Sequence, residues 1–189
     1  MTRRRPSPAW PVGVAVAVLL AGCSAPKEGE RRFRYAEAVE VPAEVTERDQ
    51  LAALLAGYAN RNRLAYHDTS PRTQRVSNGH QTLDLRIDRP LTNGRLWPEI
   101  EVSAVGNEAV LVTFAEPLDR GIAQDSANGR AELIGELQRR WPETTPVPLL
   151  PEGGVPQQQD LRRTSEGLRI DPASAAKYRL PPDSPLLAH

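Results

Sequence analysis

From Gln81 to Pro117 the hydrophobic period of this chain is two, and on both sides of that stretch it is 3.6. This change constrains the fold more than any other feature. Leu83, Leu85 and Ile87 alternate with Asp84, Arg86 and Asp88, as expected of an antiparallel strand with one buried and one solvated face. Ile100 and Val102 repeat the pattern in EIEVSAV, and AVLVTFAEP is the most apolar run, which predicts a central strand ended by Pro117. Asn93-Gly94 and Gly106-Asn107 supply the turns between them. Upstream, Leu51, Leu54, Leu55 and Tyr58 fall on one helical face, with Thr46 as cap and Asp49 three residues on, a variant of the capping box. Downstream, a second helix is predicted from about Asp125 or Ser126, turning Ala131, Ile134, Leu137 and Trp141 inward. Gly129 and Gly135 weaken it unless a close approach uses their missing side chains, and Pro142 closes it.

Two shorter runs complete the pattern. FRYAEAVEVP offers a first strand with Val39 and Val41 on one face, and RLAYHD a short third element. The order β-α-β-β-β-β-α predicts an α+β two-layer sandwich. It would have a mainly antiparallel sheet of about four strands and two helices on one face. Roughly 110 residues suffice for one such core, expected to hold Val112 or Phe114 with Leu54 and Ile134.

The chain opens differently. Arg3, Arg4 and Arg5 precede a small or apolar run from Val12 to Ala21, which ends in Leu20-Ala21-Gly22-Cys23. A helix of about ten residues rises only ~15 Å, too short to span a bilayer core of roughly 30 Å. A basic start, a short apolar stretch and a small-residue end read as a secretory signal peptide. The Leu20-Ala21-Gly22-Cys23 box resembles the lipobox of bacterial lipoproteins. That resemblance covers residues 1–23 and implies diacylglyceryl transfer to the Cys23 sulfur, cleavage before Cys23 and acylation of the new amine. Two or more chains anchor stably, because each buried CH₂ contributes about 0.8 kcal/mol. Cys23 is the only cysteine, so it has no disulfide partner within the chain. Ser24 stands where an aspartate would resemble an inner-membrane retention signal. The expected address is therefore the outer membrane, facing the periplasm.

These readings divide the chain into a signal peptide (1–22), a lipidated tether (23–32), a small α+β domain (33–141) and a proline-rich arm (142–189). Removing the signal takes away three arginines, so 21 basic residues face 24 acidic ones. That balance carries no basic stripe for nucleic acid. Nine of the 18 prolines lie beyond Trp141. The arm, too proline-rich for a second core, is expected to dock in part on the domain. Leu168 and Ile170 alternate within it, and Asp171 caps a helical turn begun by Pro172. Leu149, Leu150, Tyr178, Leu180, Leu186 and Leu187 are the candidate partner surface.

Catalytic motifs are sparse. No zinc spacing, nucleophile elbow, P-loop or dinucleotide fingerprint occurs, and neither a cofactor nor a metal is expected. His67-Asp68 and His80 flank the Thr69–Gly79 loop, near Ser70 and Ser77, and could form a nucleophilic set. The pairs Asp84/Asp88 and Glu99/Glu101 each share a strand face, where acid–base work competes with plain solvation. Trp97 and Tyr66 are the candidates for a stacking platform. Two classes follow. One is a non-enzymatic envelope lipoprotein that binds an envelope protein as an assembly or accessory factor, or as an inhibitor or immunity protein. The other is a small periplasmic hydrolase using His67, Asp68 or the acidic strand residues.

Overall fold

A computed structural model describes residues 34–71, 83–117 and 120–188, with side-chain surroundings from residue 122 onward in the last segment. The signal peptide, Cys23 and the tether lie outside the described residues, as do Ser77, His80 and His189. Strand β1 (Tyr35–Val41) leads through a 3-10 turn into helix α1 (Arg48–Arg61). Strands β2 (Ala65–Asp68), β3 (Asp84–Pro90), β4 (Leu96–Val105) and β5 (Ala109–Ala115) follow, then helix α2 (Arg120–Arg140). The arm adds β6 (Thr145–Pro146) and the hairpin β7 (Leu161–Thr164) and β8 (Gly167–Ile170).

The fold is mixed α+β with a mainly antiparallel sheet, in the order β2-β3-β4-β5-β1-β6. It has six strands rather than about four. Short β2 pairs fully with β3, and the arm returns to lay β6 against β1. β5 is central, as its apolarity predicted. The register aligns Leu85, Val102, Val112 and Val39 in one cross-strand row, and Ile87, Ile100 and Phe114 in the next. Leu51, Leu55 and Tyr58 of α1 and Leu133 and Leu137 of α2 join these residues in a single cluster, so both helices cover the same face. Val112 and Phe114 are buried there, with Leu54 and Ile134 partly buried at its margin.

Three local expectations change. α1 is led in by Glu44 and Glu47 rather than by Thr46 and Asp49: the Glu44 N–H donates to Glu47 Oε2 at 3.2 Å, and the Glu47 N–H to the Glu44 carbonyl at 2.9 Å. α2 starts about five residues early, at Arg120. Its inner stripe is Ser126, Gly129, Leu133, Leu137 and Trp141, and Ala131 is exposed. Gly129 explains the stripe. A β-carbon there would lie 2.5 Å from the hydroxyl of Tyr58, so the two helices meet where glycine leaves room.

The arm is built as an addition to the opposite face of the sheet. Val147 and Leu168 bury Ala38, with Leu111, Leu149, Val155 and Leu161 packed around them. Prolines do not prevent a small second cluster: Leu150, Ile170, Leu180 and Leu187 close on one another. The predicted cap is present, with Asp171 accepting the Ala173 N–H at 2.9 Å ahead of a 3-10 helix over Pro172–Tyr178. Buried polar groups fasten the segment. Glu40 accepts from Gln158 Nε2 at 2.7 Å and from Arg163 Nη2 at 2.6 Å. Asp160 accepts from Lys177 Nζ, Tyr178 Oη and Ser174 Oγ at 2.5, 2.5 and 2.9 Å. These donors hold the Asp160 carboxyl below its ordinary range, Lys177 first and Tyr178 next.

Candidate functional site

The arm covers the outer face over β5, β1 and β6 and leaves it open over β3 and β4. There a cleft of about 600 Å³ is lined by Tyr35, His67, Asp84, Arg86, Glu101, Ser103 and Thr113, with Leu111 and the arm's Val155 as apolar wall. Its size falls in the range of ordinary ligand sites, roughly 300–1,000 Å³.

Strand alternation places most of its polar residues, and two β-bulges modify the pattern by bringing Tyr35 in and turning Glu99 away. In β1, Tyr35 pairs with Ala115 and Glu37 with Phe114, leaving Ala36 as the extra residue. A bulge re-aims the neighbouring side chain. Glu37 keeps the alternation of Val39 and reaches Arg130 of α2 at 2.9 Å on the helix side, while Tyr35 crosses to the outer face and donates to Glu101 Oε2 at 2.5 Å. Burial first, then the bond to Glu101, push the Tyr35 phenol up to about 12, so it stays a protonated donor at neutral pH. In β4, Ile100 pairs with Ile87 and Pro98 with Asp88, so Glu99 is extra. It turns to the helix layer, accepting from Arg89 Nε and Nη2 at 2.5 and 2.8 Å and from Ser126 Oγ of α2 at 3.1 Å. Glu99 and Glu101 therefore do not share a face, because the bulge breaks the alternation between them.

Asp88 departs further from expectation. It is fully buried, not solvated. Arg86 donates to its Oδ2 from Nε at 3.0 Å and from Nη2 at 2.7 Å. His67 Nε2 approaches the same oxygen at 3.3 Å without hydrogen-bond geometry, and among the described residues Asp88 Oδ1 has no hydrogen-bond partner. His67 and Asp68 do not act as a pair. Adjacent strand residues point to opposite faces, and Asp68 Oδ1 accepts the Ser70 N–H at 2.9 Å. Ser70 Oγ is bound to the Asp84 backbone at 2.9 Å. Among the described residues no hydroxyl is hydrogen-bonded to His67, and no group of three or more His, Cys, Asp or Glu could hold a metal ion. Tyr66 packs against the helix-side core instead of forming a platform on the open face, and burial raises its phenol.

The sequence-derived partner residues lie mostly inside the arm. Leu150, Leu180 and Leu187 are buried, with Tyr178 and Leu186 packed against them, and Leu149 sits against the Ala38–Val147–Leu168 cluster. They do not form an open apolar patch. Tyr35 and Ser103 were not singled out from sequence. A strict period of two would have put Ser103 on the outer face with Glu101, whereas Tyr35 reaches it only through the Ala36 bulge.

Comparison of the chain with protein-family models, curated proteins and solved structures finds no match.

Proposed function

We propose that this is a lipid-anchored envelope protein whose folded domain binds another envelope protein and catalyses no reaction. Acylated Cys23 would hold it in the outer membrane, facing the periplasm. The observation that carries the reading is the uncovered part of the outer face. An outer sheet face closed by an arm at one end and left open as a polar cleft at the other suits recognition. Arg86 is engaged by buried Asp88, Glu101 accepts the Tyr35 hydroxyl, and among the described residues His67 is hydrogen-bonded to no hydroxyl that it could activate. Assembly factor, secretion accessory, inhibitor and immunity protein are all forms of this reading. Tyr35 lies twelve residues after Cys23, a span of at most ~40 Å fully extended, so the cleft would stay near the membrane surface.

Anchoring is tested by palmitate labelling and membrane fractionation. Cys23→Ser is expected to abolish label and leave precursor or soluble protein, and label surviving the substitution would refute the anchor. The approach of His67 to Asp88 is the one feature on the side of a hydrolase. Ester or amide hydrolysis by the purified protein that disappears in His67→Gln would replace the binding reading.

A further inference from the structure

Across β3 and β4, Arg86 stands directly opposite Glu101. Opposite charges at such positions ordinarily pair, yet these two do not. Arg86 turns along its own strand to Asp88, which takes both Nε and Nη2. Glu101 turns the other way, and among the described residues its carboxylate receives only the neutral Tyr35 hydroxyl, on Oε2. Among the described residues no basic side chain lies within ion-pair distance of Glu101. The cleft thus keeps a carboxylate whose natural counter-charge is neutralised by a buried neighbour.

The surroundings fit one ligand shape. Beside Glu101 are the hydroxyl oxygens of Ser103 and Thr113, the latter donating its proton to the Glu101 carbonyl at 3.2 Å. Leu111 and Val155 supply an apolar wall. Arginine and lysine side chains combine an apolar stem with a donor-rich charged head. Resting on the reading of this cleft as the binding site, we infer that it receives a basic side chain, arginine or lysine, presented by the protein partner. The cationic head would lie on Glu101 and the stem against Leu111 and Val155. A free small amine offers the same chemistry, and the test separates the two.

The experiment is calorimetric titration of the full chain in detergent micelles at low salt, with agmatine, N-acetyl-arginine amide, the tripeptide Gly-Arg-Gly and, as an anionic control, acetate. The expected result is saturable binding of the cations but not of acetate, with the tripeptide at least fivefold tighter than agmatine. Affinity should fall at least tenfold in Glu101→Gln. Tyr35→Phe, which leaves both Glu101 oxygens open, should bind at least as tightly as the unaltered chain. Circular dichroism of both variants separates lost binding from lost fold. Absence of cation binding, or equal affinity in a folded Glu101→Gln, overturns the proposal, and agmatine binding as tightly as the tripeptide overturns a protein source. A protein partner that still crosslinks at Ser103 when no cation binds would show that the ligand class is wrong and the cleft reading is not.

Discussion

The two faces of the sheet use the same strands and obey different rules. On the helix face the rows are mainly apolar, with Leu85, Val102, Val112 and Val39 in one row and Ile87, Ile100 and Phe114 in the next, all buried, and Glu37 at the β1 end of the second row is charged. On the outer face the corresponding rows read His67, Arg86, Glu101, Thr113 and Ala38, then Asp84, Ser103, Leu111 and Glu40. The arm covers the β1 end, where Ala38 and Leu111 meet its apolar residues and Glu40 is buried under its Gln158 and Arg163, and leaves the charged residues of β3 and β4 open. Burial explains the first face and the arm-covered half of the second. It leaves an open remainder that carries Asp84, Arg86 and Glu101, and that remainder is where recognition is proposed.

The contrast is sharpest in stability. Phe114 is buried at the centre of the helix-side face, and large-to-small substitutions at such sites cost about 3–5 kcal/mol against a typical total of roughly 5–15 kcal/mol. Phe114→Ala should therefore lower the urea midpoint drastically, whereas Ser103→Ala on the open face should leave it unchanged. Comparable losses at both positions would erase the distinction between the faces.

A smaller effect is expected where the helices cross. Gly129→Ala places a methyl 2.5 Å from the Tyr58 hydroxyl, and overpacking of this kind costs about 1–3 kcal/mol. Combining it with Tyr58→Phe, which removes the clashing oxygen, should recover part of the loss. Additivity of the two substitutions in equilibrium unfolding would show that the contact does not set the helix spacing.

The arm should separate from the core by pH. The Asp160 carboxyl has a lowered folded pKa, so its contribution is present above the ordinary carboxylate range, around 4, and is lost as pH falls through the folded value. Amides of residues 157–180 should then lose hydrogen-exchange protection in acid before those of β5. Asp160→Asn should weaken the arm at neutral pH and flatten that dependence. An unchanged acid profile in Asp160→Asn would place the sensitivity elsewhere.

Periodicity made the helix face legible, because burying one side of a strand fixes which residues face inward. It located β3, β4 and β5, the Leu51–Tyr58 stripe, and the core positions of Val112 and Phe114. It failed where an extra residue breaks the period. Ala36 and Glu99 are ordinary in sequence, yet the bulge at Ala36 sends Tyr35 to the open face and the bulge at Glu99 sends Glu99 itself to the helices. The solvated reading of Asp88 failed for another reason: a carboxylate can be fully buried when an arginine two residues away and a histidine on the next strand close over it. The count of strands missed β6, since Thr145-Pro146 carries no strand pattern and is ordered by β1. The apolar residues of the arm were visible, but their destination was not, because whether a leucine faces a partner or its own chain depends on contacts distant in sequence.

The central claim, that the open half of the outer face meets a partner at the membrane, is tested most directly by site-specific photo-crosslinking in intact cells. A photoreactive residue at exposed Ser103, within the cleft, is compared with one at exposed Ala53 on the far side of α1. The expected result is a discrete protein adduct from Ser103 in the membrane fraction, none from Ala53, and loss of the Ser103 adduct in Glu101→Gln. Adducts from Ala53 alone, or of equal strength from both positions, would contradict it.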